Sequence, residues 1–341
     1  MKKLLLIISI LFISAVINAE NLTIITMNSW TGISAGGFLN CKEYESEEVR
    51  LFRHEVLSAG LEKLDADVIV LNGINPAHEF AETTAEKLGM TANVWISRSG
   101  FRIGSVSLPL NLKAGDVILT KEELVSEFAG RKILNGGISN RTFTLFSRNG
   151  SQIISSKINL GGMDVYIFSA EWAESVFSDR QSLELLLDNY LEDVIEPEIY
   201  SDLIENAVDG AKLRLTQAEE TLAFINSTAG EAPVILCGSL NALPGSDEMT
   251  ILESAGFVDV FDKAGSGTGY TWNPDVNANI EKMNGPRPRA AYRTDYILIR
   301  GKALTASTAE IVFDEPVYGV YPSNRFGVRA VLRLSESPSG Q

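Results

Sequence analysis

Four short runs made almost wholly of aliphatic residues punctuate this chain: residues 67–71 (DVIVL), 116–119 (DVIL), 233–237 (PVILC) and 296–299 (YILI). A run of this length without a polar face reads as a strand buried on both sides. Other segments fit the same plan. Residues 22–27 alternate like a strand. Ser46 before Glu47 and Glu48 marks a helix start, with acids at the positive dipole end. Val49, Phe52, Val56 and Leu64 give that helix an apolar stripe. A second helix is expected at about 79–88. Residues 142–168 read as a strand pair or meander turning at Gly161-Gly162. A helical section follows at about 180–225, broken at Pro197. Further strands are expected at 257–261 and 328–334, and 264–289 reads as a loop. Strands with helices between them predict one α/β sandwich, its helices packed outside two sheets.

Residues 1–19 read as a secretory signal peptide. Lys2 and Lys3 precede an apolar run at 4–17 broken only by Ser9 and Ser14, and Ala19 sits at the expected cut with Ile17 at minus three. The run is short of the about 20 apolar residues a spanning helix needs, and no Lys/Arg cluster follows it. The expectation is an exported protein, periplasmic or secreted, with no integral membrane segment after cleavage. Residues 20–337 are expected to form a single domain, with no internal repeat or linker. Removing Lys2 and Lys3 from 29 basic residues leaves 27 against 44 acidic ones, a balance of −17. That charge disfavours tight non-specific binding to nucleic acid and leaves other partners open. There are two cysteines, Cys41 and Cys237. An oxidising compartment permits a bridge, whereas Cys237 at the end of an apolar run suits a buried thiol.

Nine segments, taken in order, resemble the endonuclease/exonuclease/phosphatase superfamily. They are Ile24-Ile25-Thr26-Met27-Asn28, Asp67-Val68-Ile69-Val70-Leu71-Asn72-Gly73 and Gly115-Asp116-Val117-Ile118-Leu119-Thr120-Lys121. Next come Ser169-Ala170-Glu171-Trp172, Arg214 with Gln217, and Gly238-Ser239-Leu240-Asn241. The last three are Gly269-Tyr270-Thr271-Trp272, Arg293-Thr294-Asp295-Tyr296, and Tyr321 to Val328 with Ser323-Asn324-Arg325 at its centre. The resemblance spans nearly the whole chain after residue 19. It implies a four-layered α/β (α+β) sandwich of two mainly antiparallel sheets packed face to face, and Mg²⁺-dependent phosphoester hydrolysis. The segment Gly269–Asn277 and Asn28-Ser29-Trp30 point within it to the sphingomyelinase-like branch.

The catalytic positions depart from that pattern. Gly73 stands where the family has its Glu ligand, Ser239 where it has an Asp, and Glu171 where it has a His. Asn324 and Arg325 replace its terminal Asp and His. Asn28, Asn241 and Asp295 keep the family's residue types. Gly73 and Ser239 delete carboxylates that Mg²⁺ needs. Arg325 stays protonated and cannot activate water, and Glu171 would repel phosphoryl oxygens. Asn28 and Asn241 also suit turns at strand ends, Asp295 a strand-end cap, and Arg325 either a phosphate-binding fork or a plain surface position. His54, in the middle of the first helix, reads as a surface residue; His78 reads as a loop or helix-start residue.

Three readings follow. The first is a catalytically degenerate pseudoenzyme that keeps the scaffold for ligand or partner binding and needs no cofactor. The second is a divergent divalent-metal-dependent phosphoesterase: a nuclease, a phosphatase or a sphingomyelinase-like phosphodiesterase. Its Mg²⁺ would fall to Asp116, Glu171 and Asp295, with His78 assisting. The third is an interaction surface on the helical section, presenting Leu183, Leu186, Leu187 and Tyr190.

Overall fold

The computed structural model describes residues 20–34, 39–99, 101–103, 106–136, 150–173, 197–283 and 290–334. The expected signal peptide, residues 142–149 of the expected strand pair and residues 180–196 of the helical section lie outside them. So do Leu183, Leu186, Leu187 and Tyr190.

The described chain runs through β1 (Glu20–Asn28), β2 (Ile33–Ser34), β3 (Lys42–Glu43), α1 (Glu47–Leu64), β4 (Val68–Ile74) and α2 (Ala77–Leu88). It continues with β5 (Met90–Arg98), β6 (Phe101–Ile103), β7 (Val106–Leu108), β8 (Ala114–Lys121), β9 (Glu127–Ile133), β10 (Gln152–Leu160) and β11 (Met163–Glu171). Helix α3 (Pro197–Ala229) leads to β12 (Val234–Ser239), α4 (Asp247–Ser254), β13 (Val258–Asp259), α5 (Val260–Ala264) and α6 (Ala278–Glu281). Strands β14 (Asp295–Arg300), β15 (Leu304–Val312) and β16 (Gly327–Leu334) complete it.

Two six-stranded sheets carry the fold, ordered β15-β16-β1-β4-β8-β5 and β13-β14-β12-β11-β10-β9. Each has one parallel pair, β1 with β4 and β11 with β12; the other neighbours are antiparallel. The side-chain period of two explains the aliphatic runs. Ile24, Val68 and Val70 point between the sheets, where they meet Ile154, Ile167, Ile235 and Ile297. Their neighbours Ile25, Ile69 and Leu71 point outward and are covered by Leu57 and Leu61 of α1 and Ala77, Phe80 and Ala81 of α2. On the far sheet, Phe168, Leu236 and Leu298 are covered by Ala218 and Ile225 of α3 and Met249 and Leu252 of α4. The result is helix, sheet, sheet, helix: the four-layered sandwich expected. No described helix is long and apolar enough to cross a membrane.

Helix α1 starts where expected, with the Ser46 hydroxyl accepting from the Val49 amide at 3.3 Å. Its buried face differs from the expected stripe. Val49 and Phe52 are exposed, while Arg53, His54, Val56, Leu57 and Leu61 are buried. The surface placement of His54 is therefore corrected: its ring packs edge-on to Phe80 of α2, with centroids 4.9 Å apart. Arg53 and His54 turn inward because the packing partners lie on their side of the helix. Cys41 and Cys237 are both buried thiols with no disulfide between them, and burial pushes the Cys237 thiol well up.

Candidate functional site

The two parallel pairs end at the same edge of the sandwich. Asn28 pairs with Asn72 at the ends of β1 and β4, and Glu171 pairs with Ser239 at the ends of β11 and β12. Ser239 also lies opposite Asp295, the first residue of β14. Strands β1 and β4 contact β12 across the interior, so these termini face one another.

Asn72 joins the sheets. Its Nδ2 donates to Asp116 Oδ1 and to Ser169 Oγ, both at 3.0 Å, and its Oδ1 accepts from the Ser239 amide at 3.1 Å. The approach leaves no room for a side chain at Gly238 (φ +130°): a Cβ there would lie 2.1 Å from the Ala170 carbonyl oxygen and 2.8 Å from Asn72 Oδ1. Gly73 sits in a bulge between Leu71 and Ile74 with φ +64°. A Cβ at Gly73 would meet Asn28 Oδ1 at 3.2 Å. Gly73 thus has a left-handed backbone that side chains avoid.

Asp295 is fully buried at the centre of a second cluster. Its Oδ1 accepts from the Ser239 hydroxyl. Its Oδ2 accepts from Thr271 Oγ1 at 2.7 Å, Thr294 Oγ1 at 3.2 Å and Arg325 Nη1 at 3.3 Å. Arg325 is itself buried, which corrects its placement as a plain surface residue. Its Nη1 also donates to Thr294 Oγ1, its Nη2 donates to Asn241 Oδ1 at 2.7 Å, and its guanidinium carbon lies 5.8 Å from the Trp272 ring centroid. Asn241 holds a left-handed backbone (φ +50°), which Asn tolerates, and its Nδ2 donates to the Trp172 carbonyl at 2.9 Å. Asn324 turns away, with Nδ2 3.0 Å from Met283 Sδ. Asn28 makes the turn expected of it, its Oδ1 accepting from the Trp30 amide at 3.0 Å.

The remaining candidates are separately occupied. Glu171 Oε1 pairs with Arg98 at 2.6 Å. Asp116 lies mid-strand in β8, fully buried, with Oδ2 accepting from Gln152 Nε2 at 2.6 Å. Burial pushes its carboxyl above the usual carboxylate range, against the hydrogen bonds from Asn72 and Gln152. His78 is exposed in the first turn of α2. Arg214 pairs with Glu248 at 3.1 Å, tying α3 to α4. Gln217 accepts from the Ala173 amide at 2.8 Å and donates to the Asn135 carbonyl at 2.6 Å.

Several participants escaped the sequence reading, Arg53 above all. It is fully buried, paired with Glu45 at 2.7 Å, and donates to the carbonyls of Ser29 (2.9 Å), Trp30 (3.2 Å) and Pro322 (2.8 Å). It thereby fastens the segment after β1 to the segment carrying Arg325. The available signal was a charged residue four before Leu57 and eight before Leu61, on the face those leucines bury. Thr271 and Thr294 lie within segments already singled out, without a role of their own, and Arg98 and Gln152 carried no comparable signal.

Mg²⁺ needs oxygen lone pairs, usually from one or two carboxylates, with waters completing an octahedron. Gly73 offers no side chain. The oxygens of Asp295 are met by hydroxyls and by a guanidinium, and Glu171 faces Arg98. Among the described residues, no group of three or more His, Cys, Asp or Glu is placed to hold a metal ion. The residues present do not fit Mg²⁺.

No protein-family model matches the chain, and no curated protein sequence does. Solved structures do match in shape. The endonuclease/exonuclease/phosphatase from Bacteroides vulgatus aligns with a TM-score of 0.61 at 11% identity, over 93% of this chain and 100% of that one. The family protein from Bacteroides thetaiotaomicron gives 0.61 at 12% identity, over 93% and 99%. TDP2 of D. rerio, complexed with single-strand DNA product, gives 0.57 at 15% identity, over 92% and 99%. The chain has the endonuclease/exonuclease/phosphatase fold.

Proposed function

We propose that this protein is an exported pseudoenzyme: an endonuclease/exonuclease/phosphatase scaffold whose hydrolytic site has become a closed polar cluster, kept to bind a ligand or a partner. The observation that carries this reading is the Arg325–Asp295–Ser239 cluster. The position that supplies a proton acceptor in the family holds a guanidinium, which stays charged at any working pH. That guanidinium is bonded to Asp295, the one carboxylate retained at the family's positions. Gly73, Ser239 and Asn324 stand in place of the other acids, and the sequence features of residues 1–19 support export.

The fold itself favours the rival reading, a divergent phosphoesterase, because one structural neighbour is a protein complexed with a DNA product. The proposed ligands do not support it: Asp116, Glu171 and Asp295 each have other partners, and His78 lies exposed on α2. The test is calorimetric titration of the mature protein with Mg²⁺, run beside a panel of phosphomonoesters and phosphodiesters with Mg²⁺ or Mn²⁺. Silence in both is expected. Hydrolysis that disappears in an Asn28→Ala, Asp295→Ala double variant would overturn the proposal.

A further inference from the structure

We infer that Arg325 is a built-in counter-cation: its guanidinium holds the place of a bound cation among the oxygens of Asp295, Asn241 and Thr294, and removing it uncovers a divalent-cation site. The inference rests on the reading that the native cluster excludes metal, and it assigns that exclusion to one side chain.

Three observations carry it. First, Asp295 and Arg325 form a buried ion pair, with side chains 0% and 10% exposed. A buried carboxylate needs a compensating charge, and among its described contacts Arg325 is the cation. Second, the groups met by Nη1 and Nη2 are oxygens: Asp295 Oδ2 at 3.3 Å, Asn241 Oδ1 at 2.7 Å and Thr294 Oγ1. Such a donor set suits a hard cation. Asn241 cannot simply turn its amide round, because Nδ2 is spent on the Trp172 carbonyl. Third, the backbone at Arg325 is held independently of its side chain. The Ser323 hydroxyl donates to the Asn28 carbonyl at 2.6 Å and accepts from the Arg325 amide at 3.1 Å, and Arg53 holds the Pro322 carbonyl. Shortening the side chain therefore leaves its oxygen partners in place around an open position.

The test uses the mature full-length protein and Mg²⁺ or Mn²⁺ alone as probe. Thermal melts in EDTA and in millimolar metal at matched ionic strength are compared with calorimetric titration, for wild type, Arg325→Ala, Arg325→Gln and Arg325→Ala with Asp295→Asn. Wild type is expected to melt identically in both conditions. The two single variants should melt lower in EDTA, recover part of the loss with metal, and show one saturable site of millimolar affinity. The double variant should lose that response. If the single variants fail to fold in EDTA, recovery on refolding with Mn²⁺ supports the inference, and equal failure with Mn²⁺ overturns it. Metal-silent single variants beside a silent wild type overturn this inference alone. Saturable metal binding by wild type, lost in a single Asp295→Asn variant run beside the others, would overturn both it and the functional reading.

Discussion

Gly73 is constrained by its backbone as well as by its neighbours. Its φ of +64° and the 3.2 Å approach of Asn28 Oδ1 leave no unstrained place for a side chain. Gly73→Glu is expected to lower stability by roughly 1–3 kcal/mol through left-handed strain, with no gain of Mg²⁺ binding. Urea melts with and without Mg²⁺ check this, and an undiminished midpoint would contradict it. Arg53 makes the complementary case. Arg53→Met strands Glu45 in the interior and should cost about 3–5 kcal/mol, as loss of one partner of a buried pair does. Adding Glu45→Gln should recover part of that loss; a double variant as unstable as the single would show that the carbonyl contacts, not the ion pair, dominate. At this scale the sequence displayed the residue types of Gly73, Glu171, Ser239, Asn324 and Arg325. It did not display their new partners, because Thr271, Arg98 and Gln152 are distant along the chain and ordinary in type.

Helix α1 is the element whose existence was legible and whose orientation was not. Ser46, Glu47 and Glu48 announce its start through local chemistry. Which face is buried depends on where α2 and the sheet lie, and that exchanged Val49 and Phe52 for Arg53 and His54. The exchange has a pH signature. Burial, with Arg53 and Arg50 nearby, lowers the His54 pKa from 6.5 to about 3. Between those values the unfolded state binds the extra proton, so stability falls as pH drops through the window. The full effect is on the order of 5 kcal/mol. Asp259 acts in the opposite sense: burial raises its carboxyl from 3.8 to about 6 despite Arg293, so between those values the folded state holds the extra proton and this group's contribution grows as pH falls. Comparison with His54→Leu isolates the imidazole. The stability of the variant relative to wild type should rise steadily as denaturant melts are taken from pH 7 to pH 4. A difference that stays flat across that range would exclude His54 as the responsive group.

The described chain forms a sandwich whose two sheets meet through aliphatic packing, with polar groups joining them at the edge that carries Asn72 and again where Asn93 of β5 donates to Ser156 Oγ of β10 at 2.8 Å. Asn72 is the principal bridge. Asn72→Leu should cost on the order of 2–4 kcal/mol, because it leaves the Ser239 amide without its acceptor and Asp116 Oδ1 with the longer bond from the Gly73 amide, at 3.4 Å. Hydrogen exchange should quicken first at the Ser239 amide; unchanged protection there would mean that another group replaces the bond. By itself the sequence determined the alternation of strands and helices, the double-sided burial of the aliphatic runs and the turn at Gly161-Gly162. Those depend on side-chain period and local backbone preference, which neighbouring residues encode. It also determined which residue types stand where the family keeps its acids and histidines. Only the tertiary structure decided that Arg325 is buried against Asp295, that Asn72 crosses between sheets, and that Arg53 fastens two distant segments. Hydrogen bonds and ion pairs of that kind form between groups up to 295 positions apart, and their strength comes from exclusion of water, which no local stretch of sequence specifies.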